Sequence, residues 1–134
     1  MTTVLVDSNV LLDVFTQDPV WESWSAGALE RLGENSLLAI NPIVFAEVSL
    51  HFGGIEELEE ALPEVFFERL ALPWEAAFLA GRCFLSYRRA GGVRSAPLPD
   101  FYIGAHAAIA GLQLLTRDAS RYRSYFPTVT IIAP

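Results

Sequence analysis

Four acidic residues, Asp7, Glu47, Asp100 and Asp118, stand at element boundaries where oxygen-ligand chemistry can be built. Only two of the sixteen carboxylates lie beyond residue 75, Asp100 and Asp118, and seven of the nine basic residues share that part of the chain. These are Arg82, Arg88, Arg89, Arg94, Arg117, Arg121 and Arg123. Residues 1–75 hold fourteen acids and two arginines, a net of −12, and the remainder has a net of +5, giving −7 for the chain. Two acids kept in a segment that otherwise accumulates positive charge point to a bound cation. Asp7, directly after the apolar run Val4-Leu5-Val6, is a third candidate ligand, and Glu47 a fourth. With no His or Cys beside them, such hard oxygen donors favour Mg²⁺, with Mn²⁺ as a substitute, over Zn²⁺.

Gathering these acids has a cost. At ~5 Å and an effective dielectric of ~20, each carboxylate pair repels by roughly 3 kcal/mol. Without a cation some of them keep their protons at raised pKa values. A divalent ion at such a site lowers the pKa of bound water and stabilises phosphoryl charge during in-line attack. Thr116 and Ser8 add hydroxyls that can orient a ligand.

The elements that must position these residues read as strands alternating with helices. Residues 4–6, 37–40, 112–116 and 129–132 are short apolar runs bounded by turn formers, consistent with buried strands, and 66–72 reads as a strand or a connector. Helices are expected from residue 10, with Ser8 or Asn9 as the cap, and from Asp18-Pro19 to Leu32. Further helices are expected after Asn41-Pro42, over 55–62, over 74–90, from Pro99-Asp100 to about residue 110, and over 118–122, with a loop over 91–97. That alternation predicts a single α/β domain over residues 1–134, with a mainly parallel central sheet of four to five strands. Ligands bind beyond the carboxyl ends of such strands. Asp7 and Asp118 each follow a strand there, and Asp100 lies in the first turn of its helix.

Composition sets the outer bounds. A hydrophobic content of 52% argues for a packed core and against disorder. The single cysteine, Cys83, cannot form an internal disulfide. The N-terminus lacks the basic and long apolar regions of a signal peptide, and the apolar run 103–115 is too short to span a bilayer. A cytoplasmic protein with no membrane partner is the expectation. The overall charge opposes a nucleic-acid partner, but fields act within a Debye length of ~8 Å, so the basic segment can still meet phosphates. All nine basic residues are arginine, which suits bidentate phosphate contacts, as does a GC-rich coding bias suit the same imbalance.

The order Val4-Leu5-Val6-Asp7-Ser8-Asn9-Val10-Leu11-Leu12, Glu47, Pro99-Asp100-Phe101-Tyr102-Ile103-Gly104-Ala105-His106-Ala107 and Leu114-Leu115-Thr116-Arg117-Asp118 resembles a PIN-domain ribonuclease. More narrowly, it resembles the VapC toxins of bacterial and archaeal toxin–antitoxin pairs. The resemblance extends to the closing Tyr125-Phe126-Pro127 and Ile131-Ile132-Ala133-Pro134. It implies a three-layer α/β/α sandwich and a Mg²⁺-dependent endoribonuclease, inhibited by a cognate VapB-type antitoxin and commonly a homodimer. It also implies that Asp7, Glu47, Asp100 and Asp118 hold the metal and that Thr116 is the site's hydroxyl. A sequence pI near 4.7 departs from what RNA binding leads one to expect.

The remaining polar and aromatic residues divide between core and surface. Arg82, Arg88, Arg89 and Arg94 precede Asp100 with no acid between them, and form either a solvated basic face or an RNA track. His106, about 240° around its helix from Asp100, is expected in the core or a dimer contact. Trp21 and Trp24 read as core or as an interface for antitoxin or a second copy. Cys83 reads as a small apolar filler, and Asp13 as either a further candidate acid or, favoured for a helical aspartate, solvent-facing. Two other functions compete. An aspartyl-phosphate phosphatase requires an acid two residues after Asp7, where Asn9 stands, and a lysine, which the chain lacks. A non-catalytic interaction module would use the acidic first half alone.

Overall fold

In the computed structural model, which describes residues 1–94 and 98–134, the first apolar run forms β1 (Thr2–Val6) and leads into α1 (Ser8–Phe15). There follow α2 (Glu22–Asn35), β2 (Ser36–Ile40), α3 (Pro42–Ser49), α4 (Ile55–Ala61) and β3 (Glu68–Arg69). The second half adds α5 (Trp74–Arg89), α6 (Pro99–Ala110), β4 (Gln113–Leu115), α7 (Ser120–Tyr125) and β5 (Ile131–Ile132). Among the described residues five strands pair in parallel, as the strand–helix alternation predicts, and their order is β3-β2-β1-β4-β5.

This order fixes where a ligand can bind. From β1 the chain steps outward through β2 to β3, then crosses back to β4 and β5 on the other side. Parallel crossovers are right-handed, so reversing direction sends the second set of helices to the opposite face, and an α/β sandwich results. The reversal falls between β1 and β4, where the crevice at the strands' carboxyl ends opens. The register sets Val6 beside Leu115, and the Asp7 amide donates to the Leu115 carbonyl at 2.9 Å. Asp7 and Thr116 therefore leave adjacent strands side by side.

Val4, Leu5 and Val6 are wholly buried, as are Leu114 and Leu115, because both faces of the central strands are covered. Asn41 caps α3 as expected, accepting from the Val44 amide at 2.9 Å. Its side-chain nitrogen lies 3.0 Å from Nδ1 of His106, on α6. With the Asn41 oxygen occupied by Val44, the amide donates and His106 Nδ1 accepts, so the imidazole serves the core. Burial lowers its pKa.

Several expectations need correction. The cap of α1 is Asp7, whose carboxylate accepts from the Ser8 amide, instead of Ser8 or Asn9. Helix α2 begins at Glu22, later than Asp18-Pro19, because Asp18 Oδ1 accepts from the Val20 and Trp21 amides and holds them in a turn. Of the connector at 66–72, Glu68–Arg69 pairs as an edge strand. The last helix starts at Ser120, two residues beyond Asp118. Of the loop expected over 91–97, residues 95–97 lie outside the described residues.

Asp13 is the largest departure. It is buried, 2% exposed, and Arg117 grips it with Nε at 2.8 Å and Nη2 at 3.0 Å while Ser25 donates at 2.7 Å. The Arg117 guanidinium also lies 5.7 Å from the Trp21 ring centroid, and Trp21 meets Trp24 edge-on. A charge-assisted fork of this kind ties α1 and α2 to the segment after β4.

Close packing around α6 yields a direct check. A Cβ at Gly104 collides with the buried Phe126 ring, whereas one at Gly81 on α5 meets nothing within 4 Å. Gly104→Ala is expected to destabilise by roughly 1–3 kcal/mol through overpacking. Gly81→Ala is expected to stabilise by up to about 1 kcal/mol through helix propensity. Urea midpoints measure both, and the opposite signs are the expected result.

Candidate active site

Asp7 is 3% exposed, so its carboxylate depends on the donors around it. Oδ1 accepts from the Ser8 amide at 2.8 Å, and Oδ2 accepts from the Thr116 hydroxyl at 2.9 Å and the Tyr122 phenol at 2.9 Å. Thr116 is itself held in place, accepting from the Asn9 side chain at 3.2 Å and the Asp118 amide at 3.1 Å. Asn9 in turn accepts from the Arg117 amide. Thr116 thus acts as a positioning hydroxyl, its proton committed to Asp7.

Two bridges join Asp7 to other acids. On one side the Ser8 hydroxyl donates to Glu47 Oε1 at 2.9 Å and lies 3.5 Å from Asp7 Oδ1, which brings α3 to the rim. On the other side the Tyr122 oxygen lies 3.2 Å from Asp100 Oδ1. A phenol has one proton. When it goes to Asp7, the shorter partner, the Tyr122 oxygen presents only lone pairs to Asp100. That contact is favourable when Asp100 carries a proton or a cation stands nearby.

The electrostatics are consistent. Burial, and then the charge of Asp100, push the Asp7 pKa up to about 6 against the donated hydrogen bonds. Burial likewise raises Glu47, with Asp7 and Asp100 adding to the shift and the Ser8 bond opposing it. Burial raises Asp100 too; Arg121 and Tyr122 oppose this, and Asp118 adds to it. The Tyr122 phenol rises well above its usual value through burial and its acidic neighbours. Deficient positive charge among hard oxygen donors fits a divalent cation.

Asp7, Glu47 and Asp100 therefore share one linked group. Asp118 is exposed, with its carboxylate near the Ser120 hydroxyl at 3.3 Å, and it lines an adjoining cavity with Asp100. Among the described residues, no three acid, His or Cys side chains stand close enough together to hold a metal ion as a group, so a cation here would need the side chains of Glu47 and Asp100 to close on Asp7. Arg82, Arg88, Arg89 and Arg94 do not line the cavity beside Asp100. Arg82 covers Phe78, and Arg88 donates to the Arg94 carbonyl. Cys83 is buried, and burial raises its thiol pKa.

Two site residues were not identified in the sequence. Tyr122 sits in a stretch rich in Arg, Ser and Tyr with no spacing that marks it out, and only the return of α7 over the crevice reveals it as 0% exposed. Arg121, beside it, lies 3.5 Å from Asp100 Oδ2. The faint signal for both was their position just after Asp118.

The raised Asp7 pKa has a stability consequence. Between about pH 4 and 6 the folded chain retains a proton that the unfolded chain has lost, so the metal-free fold weakens as pH rises through that window. The full effect is on the order of 3 kcal/mol. In EDTA, Asp7→Asn is expected to melt several degrees above the unsubstituted protein at pH 8, with the gap shrinking towards pH 5. A variant that melts lower at every pH would mark Asp7 as a structural carboxylate.

The PIN-domain family model matches residues 4–126. The fold resembles VapBC2 of Rickettsia felis bound to a promoter DNA fragment, with a TM-score of 0.74, 18% identity and 99% of each chain covered. It also resembles VapBC-1 of nontypeable Haemophilus influenzae (TM-score 0.72, 16% identity, 98% of each chain) and FitAcB of Neisseria gonorrhoeae (0.69, 23%, 96% of each). No curated protein sequence matches the chain. With the family match spanning nearly its whole length, and the strand order and buried acidic crevice in place, this chain belongs to the PIN-domain family.

Proposed function

We propose that the protein is a metal-dependent endoribonuclease and the toxin of a VapBC-type toxin–antitoxin pair. The observation that carries this reading is the buried Asp7–Tyr122–Asp100 bridge, extended through Ser8 to Glu47, at the crevice between β1 and β4. It gathers acids whose burial and mutual repulsion raise their pKa values, the arrangement that a divalent cation would stabilise. Asp7, Glu47 and Asp100 would hold Mg²⁺, or Mn²⁺ in its place, with Asp118 contributing from the rim. When bound, the ion supplies an activated water and neutralises phosphoryl charge.

The chain's own groups then have separate tasks. Thr116, Ser8 and Tyr122 keep the carboxylates oriented, which reduces the reorganisation needed when a ligand arrives. No side-chain nucleophile is required: the Ser8 hydroxyl is donated to Glu47, and Cys83 is buried in α5. Nor is an aspartyl-phosphate mechanism supported, since Asn9 is occupied by Thr116 and the Arg117 amide.

The partners follow from the same reading. The structural relatives described as VapBC or toxin–antitoxin complexes support a cognate VapB-type antitoxin. The acidic first half suits a basic antitoxin segment. A homodimer is part of the proposal, with exposed Trp74 and Phe78 on α5 as apolar surface for a second copy. Among the described residues no helix is long and apolar enough to cross a membrane; an RNA substrate is what leads the proposal to the cytoplasm.

Incubation of the purified protein with single-stranded RNA tests the reading. Cleavage is expected with Mg²⁺ or Mn²⁺, none in EDTA, and a loss of at least about 100-fold in Asp100→Asn. Cleavage that persists in EDTA, or full activity in that variant, would overturn the assignment.

A further inference from the structure

Beside the carboxylates the crevice opens into a cavity of about 350 Å³, within the ~300–1,000 Å³ of clefts that take small ligands. Three elements contribute to it: Tyr87 from α5, Asp100 from α6, and Arg121 and Tyr125 from α7, with Asp118 at its edge. Arg121 adjoins both the cavity and the metal-type site. It reaches Asp100 by a single contact of 3.5 Å, and its side chain is 40% exposed. Arg117, by contrast, is locked to Asp13 by two bonds of 2.8 and 3.0 Å. Arg121 also lies over the Phe101 ring at 6.0 Å, and with one long ion pair and a half-exposed side chain its guanidinium keeps donors free for an anion.

The aromatic walls are fixed in advance. Tyr87 lies 6.2 Å from Phe84 in a stacked pair and meets Phe101 edge-on at 5.7 Å. A Cβ at Gly92 would strike its ring, so the chain passes closely over it. Tyr125 meets the other side of Phe101 edge-on at 5.1 Å. Both tyrosines are partly exposed while Phe101 is wholly buried. Two anchored, partly open rings flanking a half-exposed guanidinium match the chemistry of a nucleotide: a π face for the base and a planar donor fork for the phosphate.

We propose that this cavity seats one nucleotide of the RNA adjoining the cleaved phosphate, its base against Tyr87 or Tyr125 and its phosphate on Arg121. The proposal rests on the nuclease reading above and names where that site holds its substrate. It also moves the RNA contact from the arginines of α5 to α7.

The test is a titration of the unsubstituted protein in Mg²⁺ buffer with nucleoside 5′-monophosphates, which have no internucleotide bond to cleave, and separately with inorganic phosphate. Tyrosine ring ¹H–¹³C signals report binding. The nucleotides are expected to shift Tyr87 and Tyr125 but not Tyr102, which does not line the cavity, and phosphate is expected to leave the rings unmoved. Tyr125→Ala is expected to weaken nucleotide binding roughly tenfold. Arg121→Gln, on an exposed side chain, is expected to flatten the salt dependence of single-stranded RNA binding by about 0.7 in log–log slope. Unmoved rings, equal shifts with inorganic phosphate, or unchanged binding in both variants would overturn the subsite. RNA cleavage separates the two readings. Cleavage without ring shifts removes the subsite and leaves the nuclease, whereas ring shifts without cleavage remove the nuclease and leave a nucleotide site.

Discussion

A carboxylate buried at the end of β1 must be satisfied by donors, and much of the second half of the chain is arranged to supply them. Asp7 has almost no access to water, so its charge depends on the Ser8 amide, the Thr116 hydroxyl and the Tyr122 phenol. Each donor comes from a different element. Ser8 opens α1, Thr116 follows β4 and Tyr122 lies in α7, so the β1–β4 register and the return of α7 must both be correct before Asp7 can be buried. The Arg117–Asp13 fork reinforces this, fixing the segment after β4 against α1 while the Arg117 amide holds Asn9.

The same arrangement stops short of neutralising the site. Hydrogen bonds lower the Asp7 pKa, yet burial and the nearby Asp100 charge outweigh them. A scaffold selected for stability alone would replace such a group with an apolar or neutral one, since unbalanced buried charge costs more than it returns. Retaining three linked acids at a sheet's switch point is the pattern of a fold that gives up stability for a site. The loose Arg121 contact fits that pattern, because it partly offsets Asp100 without closing the cavity.

Much of this was legible in the sequence. Apolar runs and Pro-based helix starts marked the strand–helix alternation, and parallel pairing followed from it; the strand order did not, because it depends on which side of β1 each crossover returns. Asp7, Glu47 and Thr116 were legible because each sits at a strand end or one helical stretch beyond it. Asp13 was not, because a helical aspartate looks solvated until a distant arginine is known to fold back on it. Tyr122 escaped for a similar reason: its role depends on contacts 115 residues apart in the chain. Asp118, expected among the metal-holding acids, lines the cavity beside Asp100, but its side chain turns to Ser120 and stands apart from the Asp7 bridge. The four arginines before Asp100 formed a conspicuous basic run, yet Arg121 is the arginine that borders Asp100, because Arg82, Arg88 and Arg89 lie along an exposed face of α5 and Arg94 beyond its end, while α7 folds over the crevice.

Asp7, Glu47 and Asp100 are proposed to act as one cation-binding group, and binding of Mn²⁺ followed by electron paramagnetic resonance addresses this without reference to any substrate. At pH 7.5 the unsubstituted protein is expected to deplete the free Mn²⁺ signal saturably, and Asp7→Asn and Asp100→Asn are each expected to abolish that uptake while remaining folded by circular dichroism. No saturable uptake by the unsubstituted protein, or undiminished uptake by both variants, would contradict it.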